Sequence, residues 1–147
     1  MKHLLDASSL ILLIKKANVK STVEFLGDSL VLDLTFYEIG NAVWKESALM
    51  KFLTPQEAEK LGIAAQTVLA KIDQVTNEGG AFQKILGIAQ TEKLSFYDSS
   101  YVFFAKERGL TLVTEDKELK VKAKKHVDVC TLATLFPSED NALHFSE

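Results

Sequence analysis

Short apolar runs alternate along the chain with longer segments whose apolar positions recur at helical spacing. Four runs have the length and composition of buried strands: residues 3–6, 30–34, 110–113 and 127–132. A weaker fifth run, "IDQVT", lies within 72–77. The segments between them are predicted to be helical: 8–16, 19–26, 35–52, 54–74, 82–93, 96–108 and 116–125. This alternation predicts an α/β fold with a mostly parallel sheet of four or five strands.

Several helix boundaries carry recognisable signals. Thr54, Pro55 and Glu57 have the spacing of a capping box with proline in the first helical position. The stretch "NEGG" at 77–80 is a break, and Gly109 is a suitable end for the helix before it.

One four-residue pattern occurs twice. "TFYE" at 35–38 and "SFYD" at 95–98 both read hydroxyl, Phe, Tyr, carboxylate. A hydroxyl followed three residues later by an acid is typical of a helix N-terminus. Both stretches are therefore predicted to be helix starts, with Thr35 and Ser95 as the caps.

Four acids are predicted near the carboxyl ends of strands, where open parallel sheets bind their ligands. Asp6 ends the first strand, Glu38 falls in the first helical turn after the second, and Asp116 follows the strand at 110–113. Asp98 joins them if its helix begins at the same edge. Helix capping explains each acid taken singly. However, the helix that Asp98 opens is apolar nearly all round, so a solvated surface charge is a poor description of that residue.

Repulsion between the carboxylates means that such a cluster needs protons or a cation to neutralise it. Two carboxylates about 4 Å apart repel by roughly 4 kcal/mol at an effective dielectric constant of about 20. Protons or a divalent cation would offset this cost. Since the donors are all oxygens, Mg²⁺ or Mn²⁺ is expected rather than zinc.

Length and composition narrow the protein class. The 147 residues suit one domain, predicted over 1–136 and followed by a polar tail at 137–147. A net charge of -3 argues mildly against a tight electrostatic nucleic-acid binder, although a metal-binding nuclease needs local acids.

Cys130 is the only cysteine, so no internal disulfide is possible. Asp6 interrupts the apolar N-terminal stretch, which argues against a signal peptide, and no run is long enough to span a membrane. A cytoplasmic protein is expected.

Other chemistries lack their motifs. Neither G-x-x-x-x-G-K-[ST] nor G-x-G-x-x-G occurs, and "DASS" lacks the second acid of a D-x-D phosphatase. The three histidines, His3, His126 and His144, are predicted to be structural or peripheral, and Lys45 to be a solvated lysine rather than a phosphate ligand.

The segments "LLDASSLILLI", "YEIGNAVWK", "LSFYDSSYVFFAKERGLTLVTEDKEL" and "VDVC" resemble the PIN-domain family. Within it, the similarity is greatest to VapC-type toxins, the ribonucleases of bacterial and archaeal toxin–antitoxin pairs. The resemblance spans residues 4 to about 130. It implies a three-layer α/β/α sandwich and a metal-dependent RNA endonuclease.

The family's site is carried over residue by residue. Asp6, Glu38 and Asp98 match its core acids, and Asp116 matches its more variable fourth acid. The polar positions beside them match Ser8, Asn41 and Thr114. The acids would hold one or two Mg²⁺ or Mn²⁺ ions, and a water activated by the metal would hydrolyse the phosphodiester bond to a 5′-phosphate and a 3′-hydroxyl.

The resemblance also implies partners: an RNA substrate, a VapB-like antitoxin that inserts a segment near the acids, and a second copy of the chain in a homodimer. Surfaces for them could come from 8–14, 19–26, Trp44 and Phe52, although buried core is the expectation for most of these. Two alternatives stay open: an RNA-processing nuclease outside any toxin–antitoxin pair, and a non-catalytic scaffold that binds protein or RNA.

Overall fold

Five parallel strands form one sheet in the part of the chain that the structure describes. A computed structural model describes residues 2–77 and 79–135, and all statements below concern these residues. The strands are β1 His3–Leu5, β2 Leu30–Leu32, β3 Asp73–Val75, β4 Thr111–Val113 and β5 Val129–Cys130. Their order is β3-β2-β1-β4-β5, and every neighbouring pair is parallel. The weak fifth strand is thus confirmed, and it lies at the edge beside β2.

Helices connect the strands, as parallel pairing requires. They are α1 Ala7–Lys16, α2 Val19–Phe25, α3 Leu34–Trp44, α4 Pro55–Leu69, α5 Phe82–Glu92, α6 Phe96–Arg108, α7 Lys117–Ala123 and α8 Leu132–Leu135. A π-helical turn, Lys45–Leu49, extends α3. The capping box of α4 is present, and Gly109 ends α6 in the left-handed conformation, with φ 64°.

The strands separate two apolar layers. Leu5, Val31 and Val113 pack against α1–α4, whereas their neighbours Leu4 and Leu112 pack against α6 and α7. Alternate residues of a strand point to opposite faces of a sheet, so even three-residue strands contribute to both layers. The architecture is the predicted three-layer α/β/α sandwich.

Three boundary predictions were wrong. The helix predicted over 54–74 ends at Leu69, because 73–75 pairs with β2 instead. The helix predicted over 35–52 starts at Leu34 and leaves α-helical geometry after Trp44. The strand predicted over 127–132 pairs only over Val129–Cys130, and α8 follows it. The predicted tail at 137–147, including His144, and the domain limit at 136 lie outside the described residues.

All strands run the same way, but the direction in which successive strands are added to the sheet reverses at β1. From β1, the order runs outward through β2 to β3, and then returns to β4 and β5 on the other side of β1. The carboxyl ends of β1 and its two neighbours therefore border a topological switch point, which is where open parallel sheets bind ligands. None of the helices in the described ranges is long and apolar enough to cross a bilayer.

Candidate active site

Asp6 occupies the carboxyl end of β1 and is buried, with 5% of its surface exposed. It is the N-cap of α1, as expected: its Oδ1 accepts from the Ser9 amide at 2.9 Å. The same oxygen accepts from the Ser8 hydroxyl at 2.7 Å, and the Thr114 hydroxyl donates to Oδ2. Burial raises the pKa of Asp6, and these hydrogen bonds oppose the rise.

Two hydroxyls tie the loop after β4 to Asp6. Thr114 follows β4, is fully buried, and accepts a hydrogen bond from the Asp116 amide at 3.1 Å. Ser8 accepts from the Glu115 amide at 3.1 Å. Ser8 and Thr114 therefore each join the Asp6 carboxylate to the backbone of the neighbouring loop.

Asp116 is the N-cap of α7. Its Oδ1 accepts from the Leu119 amide at 2.8 Å, and the residue is exposed. The adjacent acid, Glu115, faces another way, because its Oε1 accepts from the Leu132 amide at 2.8 Å. Asp116, not Glu115, is thus the acid of this loop that lies on the side of the candidate site.

Asp98 lies in the first turn of α6. Its amide donates to the cap, Ser95, at 3.0 Å, so the "SFYD" stretch is a helix start as predicted. Burial raises the pKa of Asp98 to about 6, and the charges of Asp116 and Asp6 contribute to the rise. This helix therefore begins at the edge of the sheet that carries the other acids.

"TFYE" is not the equivalent helix start. The cap of α3 is Asp33, whose Oδ1 accepts from the Leu34 amide at 2.8 Å. Thr35 lies inside the first turn and is fully buried, and Glu38 falls in the second turn rather than the first. The prediction that Thr35 caps the helix was wrong, because Asp33 offers a carboxylate two residues earlier.

Instead of capping, Thr35 takes part in a directed chain of hydrogen bonds. The Leu32 amide of β2 donates to Thr35 Oγ1 at 3.2 Å. The Thr35 hydroxyl lies 2.6 Å from the Tyr101 hydroxyl, which donates to Glu38 Oε1 at 2.7 Å. Since an ionised carboxylate can only accept, Tyr101 must donate to Glu38 and accept from Thr35. Tyr101 thereby fixes one oxygen of Glu38 relative to the sheet.

Sequence reasoning missed both Tyr101 and Thr35 as site residues. Helical spacing puts Tyr101 on the same face of α6 as Asp98, but nothing in the sequence pairs it with Glu38, 63 residues away. Asn41, in contrast, is exposed on α3, and none of the hydrogen bonds within 2–77 and 79–135 joins its side chain to Glu38. Asn41 lies three residues after Glu38 on the same face of α3, and its part in the site stays a prediction.

The four acids influence one another electrostatically. Burial raises the pKa of Glu38, the bond from Tyr101 opposes the rise, and Asp98 and Asp6 add to it. Carboxylates that raise each other's pKa have the charge and the oxygen donors that Mg²⁺ or Mn²⁺ prefers. In the described part of the chain, however, no three His, Cys, Asp or Glu side chains are arranged to hold one ion between them. The acids fit such a cation because Mg²⁺ commonly uses only one or two carboxylates and keeps several waters.

Known proteins are similar to this chain in sequence and in fold. No protein-family model matches the chain. A curated protein of Pyrobaculum aerophilum, Exonuclease VapC9, is 35% identical over 132 residues, which are 90% of this chain and 93% of the relative. The chain belongs to the VapC family. The sequence resemblance to VapC-type PIN domains is thus confirmed.

Solved structures are similar to this chain in fold. The crystal structure of PAE2754 from Pyrobaculum aerophilum superposes with a TM-score of 0.77 at 28% identity, over 93% of both chains. FitAcB from Neisseria gonorrhoeae gives a TM-score of 0.53 at 19% identity, over 88% of this chain and 96% of the other. FitAB bound to the IR36 DNA fragment gives 0.54 at 17% identity, over 89% and 94%. The two more distant structures support the fold alone.

Replacing Tyr101 with Phe tests the hydrogen-bond chain. The substitution removes only the hydroxyl, so Thr35 loses its acceptor and Glu38 its donor inside a mostly buried site. We expect Tyr101→Phe to lower the free energy of unfolding by about 1–3 kcal/mol in urea titrations. The pKa of Glu38, followed by carboxyl NMR, should rise further. The matched control is Tyr97→Phe, because Tyr97 is 62% exposed in the same helix. Equal effects of the two substitutions would contradict the chain.

The stability of the metal-free protein should depend on the Asp98 carboxyl. Its pKa of about 6 in the folded state lies above its usual value of 3.8. The folded state therefore binds the Asp98 proton more tightly than the unfolded state does, and stability should fall as pH rises from about 4 to 6. Asp98→Asn should flatten this dependence and raise stability at pH 7 by about 1 kcal/mol, after allowance for solvent screening. Unfolding measured across this pH window, with the exposed Asp73→Asn as control, checks the prediction. An unchanged slope in Asp98→Asn would refute it.

Proposed function

We propose that this VapC-family protein is a divalent-metal-dependent ribonuclease and the toxin of a toxin–antitoxin pair. The observation that carries the proposal is the convergence of Asp6, Glu38 and Asp98, with Asp116 beside them, at the carboxyl edge of the sheet. The name of the Pyrobaculum relative, an exonuclease, supports nuclease chemistry. The non-catalytic scaffold is disfavoured, because it gives no reason for mutually repelling acids at a switch point.

Each acid has a distinct part in this chemistry. Asp6, held by Ser8, Ser9 and Thr114, presents a fixed carboxylate at the centre. Glu38 is oriented by Tyr101, which leaves its second oxygen for a cation. Asp98, whose pKa is raised to about 6, would be a ligand in its ionised form. Mg²⁺ or Mn²⁺ held by these carboxylates would supply Lewis acidity and would activate water for attack on the phosphate. Hydrolysis in line at the phosphate leaves a 5′-phosphate and a 3′-hydroxyl.

The cutting mode has two candidates. The resemblance to VapC-type toxins implies an endonuclease, whereas the relative is named an exonuclease. A circular RNA distinguishes them, since it has no end for an exonuclease to use.

Partners follow from the proposed role. The structures of FitAcB and of FitAB with DNA are similar in fold to this chain and support an antitoxin partner. Among the surfaces considered for partners, most of 8–14 is buried, whereas Trp44 and Phe52 are 50% and 72% exposed. We propose that they contact an antitoxin or the second chain of a homodimer. A cytoplasmic RNA would be the substrate.

Purified protein should cleave RNA with Mg²⁺ or Mn²⁺ and lose that activity with EDTA. Asp6→Asn and Asp98→Asn should each lower the rate by about 100-fold or more, because each removes a charged oxygen ligand. Asp73→Asn, an exposed position on β3, is the control for the change of residue type. Products on gels from linear and circular RNA report the cutting mode. Undiminished rates in both site variants would rule out the assigned acids.

Induced expression tests the role as a toxin. Wild-type protein should arrest growth of a host that lacks the antitoxin, whereas Asp6→Asn should not, because its carboxylate is missing. Co-expression of a small reading frame encoded directly upstream should restore growth. A nuclease active in vitro whose expression never slows growth would favour the RNA-processing alternative.

A further inference from the structure

A groove carrying several cations lies at the far ends of α6 and α7 from the acids. It consists of two adjoining cavities of about 650 and 400 Å³, which share Lys106 and His126. We call it the basic groove. Its cations are Lys84, Lys106, Lys124, Lys125 and, when protonated, His126, and its acids are Glu107 and Asp128. Ile88, Phe103, Leu110 and Val127 contribute apolar surface.

Three of these lysines are available to a ligand. Lys84, Lys106 and Lys124 are exposed, and no carboxylate in the described ranges lies within 4.0 Å of their amino groups. Lys125 and His126 differ, because both bond to the buried Glu92, at 3.0 Å each. These contacts join the segment after α7 to the end of α5.

Helix dipoles do not explain the whole cluster. Cations near the end of a helix, such as Lys106 of α6, are favoured by the negative pole there. Lys84 is the third residue of α5, where the pole is positive and a cation is disfavoured. The chain as a whole is negative, at -3, so these three lysines, unpaired among the described residues, do not reflect a generally basic surface.

Two helices connect the groove to the acids. Asp98 and Lys106 are eight residues apart at opposite ends of α6, and Asp116 and Lys124 are eight residues apart across α7. At 1.5 Å per residue, each separation is about 12 Å along the helix. An extended single strand covers that distance with a few nucleotides.

We propose that the basic groove binds the sugar–phosphate backbone of single-stranded RNA a few nucleotides from the bond that is cut. This inference rests on the proposed ribonuclease function. The amino groups of Lys84, Lys106 and Lys124 contact phosphates, and the apolar surface faces the bases or riboses. The contacts hold long substrates without selecting their sequence.

Binding of RNA without cleavage tests the groove directly. The substrate is a fluorescently labelled single strand of about 16 nucleotides, measured by anisotropy in EDTA, and a strand of about 4 nucleotides gives the short reference. The groove variant carries Lys84→Gln, Lys106→Gln and Lys124→Gln. The control carries Lys20→Gln, Lys60→Gln and Lys71→Gln, which are exposed lysines outside the groove with the same total charge change. Thermal melting of both verifies that they fold.

The groove variant should lose three phosphate contacts, which lowers the slope of log affinity against log salt by about 2. Between 50 and 200 mM salt, wild type should therefore lose about 20-fold more affinity for the long strand than the groove variant does. The preference for the long over the short strand should also fall, while the control behaves as wild type. Identical salt slopes in the groove and control variants would overturn the inference.

Two further outcomes separate this inference from the proposed function. If groove-dependent RNA binding is found but no RNA is cleaved under any metal condition, the groove stands and the nuclease proposal fails. If the groove variant binds RNA as wild type does but loses binding of a poly-aspartate peptide, the groove serves an acidic protein segment, and the RNA assignment is wrong.

Discussion

The buried carboxylate of Asp6 is the constraint on which the site depends. Removing an ionised acid from water is costly unless hydrogen bonds replace its hydration. Here the replacements come from the first turn of α1 and from Thr114 after β4. Satisfying this one group therefore fixes where α1 begins and how the loop after β4 is held. That loop in turn starts α7 at Asp116, so the position of a second acid follows from the solvation of the first.

The sequence predicted the positions of those acids that are set by the neighbouring strand or helix end. Asp6, Asp98 and Asp116 each follow a strand or open a helix, and each does so in the structure. "TFYE" carried the same local signal as "SFYD" and gave the wrong geometry, because Asp33 competes for the cap and Thr35 finds a partner in Tyr101. Contacts between residues more than sixty positions apart depend on how α3 and α6 pack, and periodicity contains no information about that. The parallel α/β sheet was predictable because it follows from the alternation of strands and helices, and the resemblance to PIN domains implied its three layers. Strand β3 was weak in the sequence because two of its three residues are exposed.

Helix capping and the proposed metal ligation would use the same carboxylates. One oxygen of Asp6 and one of Asp116 each accept a hydrogen bond from a helix amide. Thr114 donates to the second oxygen of Asp6. Among the described residues, none of the hydrogen bonds found uses the second oxygen of Asp116. The positive helix end favours the ionised form of both acids, so capping maintains the form a cation needs. Asp98 differs, since its amide donates to the Ser95 hydroxyl at the start of α6. A side-chain hydrogen bond with Ser95 lowers the pKa of Asp98, but burial and the charges of Asp116 and Asp6 outweigh it and raise the pKa to about 6.

Tyr101 also constrains how this site can change over evolutionary time. A single hydroxyl serves both Thr35 and Glu38, so substitution of any one of the three alters what is tolerated at the other two. Phenylalanine in place of Tyr101 would leave the buried Thr35 hydroxyl without its acceptor. Changing Thr35 and Tyr101 together to apolar residues would remove the hydroxyl that needs a partner. Glu38 would then require a new donor or a different orientation. Positions 35, 38 and 101 are therefore expected to covary as a unit. The residue at position 101, although buried like a core residue, then indicates how the carboxylate at position 38 is oriented.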